Sequence, residues 1–182
     1  MTVKTTPVIN TARLCLHAFS EEDAESMIAL LTNSEVIKTY MVPDFKSHSE
    51  EVRMFKRFQE LSDSNEHFVY GVYLEEKLIG FINDVEIKLP SNEKKDDGRA
   101  EIELGYVIDP SYKNQGFATE VLAAAIKELF AAGFSVVRTD AFEENTASMR
   151  VMEKCGMVRL EQQEEIKYRG KLHRCFLYEI RK

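Results

Sequence analysis

Eight consecutive residues, Tyr112-Lys113-Asn114-Gln115-Gly116-Phe117-Ala118-Thr119, carry the types that could hold an anion. They follow a strand-like run, Ile102 to Ile108, and an Asp109-Pro110 turn, and they lead into an amphipathic segment starting at Thr119. The opening N–H groups of a helix have no partners within it, and the helix dipole adds about half a positive charge there. A phosphate fits such a place. Gly116 lets the backbone approach a ligand, and Lys113 adds a mobile positive charge. A polar turn that only caps a helix would use the same residue types. The generic phosphate motifs G-x-x-x-x-G-K-S/T and G-x-G-x-x-G are absent. Period-two alternation in the preceding strand puts Glu101, Glu103, Gly105 and Val107 on one face. The other face then carries Ala100, Ile102, Leu104, Tyr106 and Ile108. Two carboxylates thus sit near the C-terminal end of a strand, where open α/β folds place ligands. Asn145 and Ser148 have the spacing of an N-cap and a first-turn residue.

The elements that must position these groups follow from periodicity and turn chemistry. Residues 1–8 read as a loose tail, and residues 9–182 as one domain. Arg13 to Ala18 alternates as a first strand, with Leu14 and Leu16 on one face. Ser20 and Asp23 resemble a capping box, and Ala24, Met27, Ile28 and Leu31 form the stripe of a helix that ends at Asn33-Ser34. Residues 34–48 give no clear signal beyond the Pro43-Asp44 turn. A second helix runs from about Ser49 to Ser62. Strands follow at His67–Glu75 and Leu78–Leu89, with Gly80 suited to a bulge. A solvated polar loop spans 90–98, and the central strand spans Arg99–Ile108. A helix at Thr119–Ala132 carries Val121, Leu122, Ala125, Ile126, Leu129 and Phe130 as its buried stripe. Gly133 suits its C′ position, with Phe134 packing back on Leu129. A strand at Ser135–Phe142, a helix from Asn145 to Cys155-Gly156, and a hairpin of Val158–Lys167 and Leu172–Ile180 complete the chain. The strand–helix–strand unit implies one parallel pair in a mixed α/β sheet.

Three motifs, in order, resemble the GNAT acetyltransferases. Lys113-x-x-Gly116-x-Ala118 after Glu103-Leu104-Gly105-Tyr106-Val107-Ile108 resembles that family's motif A. Asn145-x-x-Ser148 with Glu153-Lys154-Cys155-Gly156-Met157 resembles its next motif, and Thr11-x-Arg13-Leu14-x-Leu16 resembles the start of its ribosomal-protein N-acetyltransferase branch. Lys113 departs from the usual Arg or Gln, and Asn114 from a frequent Gly. The resemblance implies a GNAT-type, mostly antiparallel sheet of about seven strands, helices on both faces, and one splayed parallel pair that admits a pantetheine arm. It implies acetyl-CoA as co-substrate, held by Tyr106, Val107, Ile108, Lys113, Asn114, Gln115, Gly116, Phe117, Ala118, Thr119 and Asn145. It implies Glu103 as the base for the attacking amine, with Glu101 the alternative, and an oxyanion donor in the main chain around Val107. Relatives often carry a proton-donating Tyr seven residues after the motif's Asn. Here Met152 stands there, and the branch's Ser, Ser148, takes the role of donor or relay. A salt-bridged strand carboxylate and a helix cap remain the structural alternatives for Glu103 and Ser148.

The chain has 182 residues, 44% hydrophobic and 30% charged, which is ordinary for a globular protein long enough to bury a core. A net charge of −7 argues against a nucleic-acid partner and suits a basic one such as an amine. Cys15, Cys155 and Cys175 lack metal spacing and read as reduced thiols of a cytoplasmic protein. His67 and His173 have no second ligand at metal spacing, so no metal is expected. No apolar run reaches the roughly 20 residues of a membrane helix, and no signal peptide is visible. Two functions are therefore carried. One is an N-acetyltransferase acting on a protein N-terminus, a polyamine or another small amine. The other is a non-catalytic acyl-CoA-binding module of the same fold. Members of the family are often homodimers, and no run of residues here marks a partner face.

Overall fold

Among the described residues eight strands join into one sheet. The structure, a computed structural model, describes residues 6–85 and 101–182. The strands are β1 (Ile9–Asn10), β2 (Leu14–His17), β3 (Val69–Leu74), β4 (Lys77–Val85), β5 (Glu101–Ile108), β6 (Val136–Phe142), β7 (Val158–Tyr168) and β8 (Lys171–Arg181). Their order is β1-β2-β3-β4-β5-β6-β8-β7, and every neighbouring pair is antiparallel except β5–β6. The expected mixed sheet with one parallel pair is present, with β1 as an additional short strand. The outer parts of two expected strands, residues 86–89 and 99–100, and the polar loop 90–98 lie outside the described residues. So do residues 1–5 of the expected tail. Thr6 is tied down: its hydroxyl donates to Glu128 (2.8 Å), and its carbonyl accepts from the Tyr70 hydroxyl (2.5 Å).

Among the described residues five α-helices cover the sheet: α1 (Ala24–Thr32), α2 (Ser34–Thr39), α3 (His48–Asp63), α4 (Phe117–Ala131) and α5 (Thr146–Lys154). One face of the sheet carries α4 and α5. There Val121, Leu122, Ala125, Leu129 and Met152 pack with Leu16, Val72, Leu104 and Val137. Full burial of one such side chain stabilises by about 1.5–3 kcal/mol. The other face carries α1, α2 and α3, with Met27, Leu31, Val36 and Phe55 against Phe81 and Val107. The helix α2 falls in the stretch that gave no clear signal. Asn33, expected to end a helix, does so and also caps the next, accepting from the N–H groups of Glu35 (2.9 Å) and Val36 (3.4 Å). Such a short helix buries only Val36, too little for a period to show.

Two local devices shape the centre of the sheet. The β3–β4 register jumps from Val72↔Gly80 to Tyr73↔Leu78, which places a bulge beside Gly80 as expected. A Cβ on Gly80 would lie 2.2 Å from the Val107 carbonyl oxygen, so only glycine admits β5 this closely. The helix α4 begins at Phe117, two residues before the expected Thr119. It ends in a Schellman pair, with Phe134 N–H bonding Leu129 O (3.0 Å) and Gly133 N–H bonding Phe130 O (3.3 Å).

The parallel pair holds only three rungs: Glu101↔Val136, Ile102↔Val137 and Glu103↔Arg138. Beyond them β5 continues along β4 and β6 continues along β8. The two strands therefore part at Glu103, as the splayed pair was expected to.

Candidate functional site

The parting of β5 and β6 exposes main-chain groups, and alternation decides which. Asp109 N–H bonds Ile79 O (2.7 Å), in the same register that pairs Phe81 with Val107. In an antiparallel ladder the residues that exchange hydrogen bonds alternate along the strand. Val107 therefore turns its N–H to β4, while Tyr106 and Ile108 turn theirs into the gap. Splaying opens one edge of β5 and Val107 faces the other, so a donor around Val107 would come from its neighbours Tyr106 and Ile108.

A cavity of about 1340 Å³ occupies the gap and runs on to the start of α4. Its walls bring together Glu103, Tyr106, Val107, Ile108, Lys113, Asn114, Gly116, Phe117, Ala118, Thr119, Asn145 and Ser148. Two named candidates, Gln115 and Glu101, do not line it.

At one end of the cavity, Asn114 (φ 60°) and Gly116 (φ 80°) both take the left-handed conformation. That conformation costs a residue with a Cβ roughly 1–2 kcal/mol. Gly116 is the N-cap of α4, and no side chain caps that helix. Its first internal bond is Glu120 N–H to Gly116 O (3.0 Å). Among the described residues nothing takes the N–H groups of Phe117, Ala118 and Thr119, which suits an anion. Arg13 braces the loop from behind. It donates to the Gln115 carbonyl (2.9 Å) and to Glu120 (2.8 Å), and its guanidinium stands 4.3 Å from the Phe117 ring centroid. Burial acts to raise the Glu120 carboxyl, but hydrogen bonds from Thr11 and Arg13 outweigh it and hold the group below the usual carboxylate range. Lys113 pairs with Glu35 of α2 across the cavity mouth, both half-exposed, and such a pair is worth little.

At the other end lie acids. Burial, then the charges of Asp140 and Glu164, push Glu103 up to about 7, against a smaller opposing pull from Arg138. Asp140 is itself raised, by burial first, while a hydrogen bond from the Cys175 thiol opposes the shift. Glu101 is taken by Arg138 at 2.6 Å. Tyr40 donates to Asn83 (2.8 Å) and closes the wall above Glu103. Reading of the sequence missed Asp140, Glu164, Tyr40 and Asn83. Three lie on different strands and Tyr40 follows α2, so only the tertiary fold brings them together; the one local signal was Asp140 in the strand that completes the parallel pair.

Between the two ends stands α5. Asn145 is its N-cap, accepting from Ser148 N–H (3.2 Å). The Ser148 hydroxyl lies 2.7 Å from the Tyr106 hydroxyl. Met152 is fully buried and carries no acidic proton. Cys155 donates to Thr119 O (3.5 Å), and burial pushes its thiol up to about 11, so it stays protonated. His67 pairs with Asp84 (3.1 Å), and His173 stacks on Phe142 (4.5 Å between centroids); neither enters the cavity. Among the described residues no three His, Cys, Asp or Glu groups are placed to hold a metal, and none of their helices is long and apolar enough to cross a membrane.

A family model, the acetyltransferase (GNAT) domain, matches residues 13–158. The uncharacterized N-acetyltransferase YoaA of Bacillus subtilis is 30% identical over 82% of this chain and 82% of its own length. The structure of Mycobacterium smegmatis RimJ in complex with CoA-disulfide superposes with a TM-score of 0.79 at 16% identity, covering 96% of this chain and 87% of that one. The Vibrio cholerae spermidine N-acetyltransferase in complex with CoA and spermine superposes at 0.75 and 19% identity, covering 93% and 96%.

Proposed function

The chain belongs to the GNAT acetyltransferase family, and from that premise we propose that it moves the acetyl group of acetyl-CoA directly to a primary amine that arrives as a cation. The observation that carries this reading is Glu103 at the point where β5 and β6 part, in one cavity with an uncapped helix start. The reading treats residues 9–182 as one catalytic domain in a reducing, cytoplasmic setting. Free thiols at Cys15, Cys155 and Cys175 fit that setting.

The diphosphate of the co-substrate lies on the N–H groups of Phe117 to Thr119, with Lys113 swinging from Glu35 to meet it. The arm then follows the exposed edge of β5 toward Glu103. The acceptor enters from the acidic end, where Glu103, Asp140 and Glu164 favour an ammonium group over a neutral or anionic acceptor. A lysine-type amine has a pKa near 10.4 and must lose a proton to react. The ammonium first gives that proton to water, which frees the nitrogen lone pair. As the C–N bond forms the nitrogen becomes acidic, and Glu103 takes its second proton. The tetrahedral oxyanion meets the N–H groups that Tyr106 and Ile108 turn into the gap. As the intermediate collapses, the C–S bond breaks and its electron pair leaves on sulfur beside Ser148.

The test is free-thiol release from acetyl-CoA across a panel of spermidine, spermine, small monoamines and peptides with free N-termini. Polyamines should lead the panel, since the cavity offers three carboxylates to more than one cation. Glu103→Gln should lower kcat by about 10²-fold or more while CoA still binds. CoA binding with no thiol release on any amine would overturn acetyl transfer in favour of a binding module.

A further inference from the structure

We propose that the Tyr106 hydroxyl is a positioning group for thiolate departure: it holds the Ser148 hydroxyl so that Ser148 donates its hydrogen bond to the leaving sulfur. The proposal rests on the acetyl-transfer reading and assigns to a residue of β5 a task left open by Met152.

Four observations carry it. The contact between the Tyr106 and Ser148 hydroxyls is 2.7 Å, a full-strength hydrogen bond, and both side chains border the cavity. The Ser148 N–H is already held by Asn145 Oδ1, so the turn that carries Ser148 is fixed and only its hydroxyl can rotate. A helical serine ordinarily gives its proton to a carbonyl of the preceding turn. Among the described residues Ser148 Oγ makes no such bond, and its side-chain partner is Tyr106. Finally, Met152 is buried in the core, and although Arg150 and Lys154 of α5 also line the cavity, Ser148 is the one α5 hydroxyl on its wall.

Either hydroxyl can donate across this contact, since each has one proton and two lone pairs, and the Tyr106 hydroxyl also lies 3.4 Å from the Ser148 carbonyl. The proposed arrangement is the one in which Tyr106 donates to Ser148 Oγ. When Tyr106 donates to Ser148 Oγ, the Ser148 proton must turn elsewhere, and the cavity is the open side. Two hydroxyls in series also polarise one another, which strengthens the second bond. No net proton moves along them. As the C–S bond breaks, its electron pair goes to sulfur, and Ser148 O–H stabilises the thiolate while keeping its proton. Burial raises the Tyr106 phenol further above its ordinary value, so it remains a donor throughout the working range. The thiolate takes its proton from water after it leaves.

Tyr106→Phe deletes one hydroxyl and keeps the ring. We expect kcat with the best amine to fall about tenfold, the rate worth of one hydrogen bond. The KM for acetyl-CoA should stay within about twofold of wild type. Ser148→Ala should give a similar or larger fall, and the double variant should be no slower than Ser148→Ala alone, because two links of one chain are not additive. A difluorotyrosine at 106, a stronger donor of nearly the same shape, should keep or raise kcat. It also serves if the Phe variant folds poorly. Wild-type kcat in Tyr106→Phe, or falls that multiply in the double variant, would overturn the proposal while leaving acetyl transfer intact. A wild-type protein that releases no thiol with any amine would overturn both.

Discussion

Glu103 and Arg138 face each other on the last rung shared by β5 and β6, yet they do not neutralise each other. The Arg138 guanidinium is spent on Glu101 at 2.6 Å and Glu179 at 3.4 Å. Glu103 is left half-buried, and burial with the charges of Asp140 and Glu164 outweighs the pull of Arg138, so its carboxyl rises to about 7. A carboxylate that titrates near neutrality suits the proton transfer proposed for Glu103.

This tuning fixes the pH dependence. A base works when deprotonated, so kcat/KM should climb as pH rises through about 7 and then level off. Asp140→Asn removes a charge that opposes Glu103 ionisation, so the acid limb should move to lower pH. Initial rates with a polyamine over a pH series test this. A limb that stays in place or moves upward in Asp140→Asn would detach Glu103 from the rate.

The same shift has a cost in stability. The folded state binds the Glu103 proton more tightly than the unfolded chain does. Stability contributed by that proton is complete below the ordinary value of 4.5 and is lost as pH rises through about 7. Glu103→Gln should therefore melt higher than wild type at pH 8, with the difference shrinking toward pH 5. Each kcal/mol corresponds to about 2–4 °C in a chain of this size. Paired thermal melts decide it, and equal melting temperatures at pH 8 would mean that burial imposes no charge penalty on this side chain.

Gly80 is where space, not conformational freedom, demands glycine. A Cβ there would meet the Val107 carbonyl at 2.2 Å, and a backbone atom cannot swing aside as a side chain can. Gly80→Ala should cost about 1–3 kcal/mol, in the range of overpacked cores, and should shift the edge of β5 that borders the gap. Chemical denaturation and the KM for acetyl-CoA should change together. A variant with wild-type stability would show that β4 can move off β5.

Much of this was legible in the chain because local rules and the fold agree. Alternation along Glu101–Ile108 announced the central strand, the Gly133-Phe134 pair announced a helix stop, and the strand–helix–strand order announced the parallel pair. What failed to show was short or non-local. The helix α2 buries too little for a period. Asp140 joins Glu103 because β6 pairs with β5, and Glu164 of β7 reaches them across β8, a strand order that no local pattern encodes. Which N–H groups around Val107 turn into the gap was hidden for the same reason. Period two tells which face a side chain occupies, but the edge to which an N–H turns depends on register with a strand elsewhere in the sequence.

Arg13 offers the last prediction, since it joins the first long strand to the anion loop. Its guanidinium reaches the Gln115 carbonyl and Glu120 at once, and Thr11 completes the set on Glu120 at 2.6 Å. Turning the Gln115 carbonyl outward helps aim the following N–H groups into the cavity, because successive peptide dipoles in this turn are linked. Arg13→Ala should therefore loosen the loop and leave Glu120, an acid in the first turn of α4, to repel an incoming diphosphate. The Kd for CoA should rise about five- to tenfold, close to 1–1.4 kcal/mol. Arg13→Ala combined with Glu120→Gln should recover part of that loss by removing the repulsion, while kcat at saturating acetyl-CoA stays near wild type in both. Calorimetric titration with CoA tests each step, and an unchanged Kd in Arg13→Ala would show that the loop holds its shape without the brace.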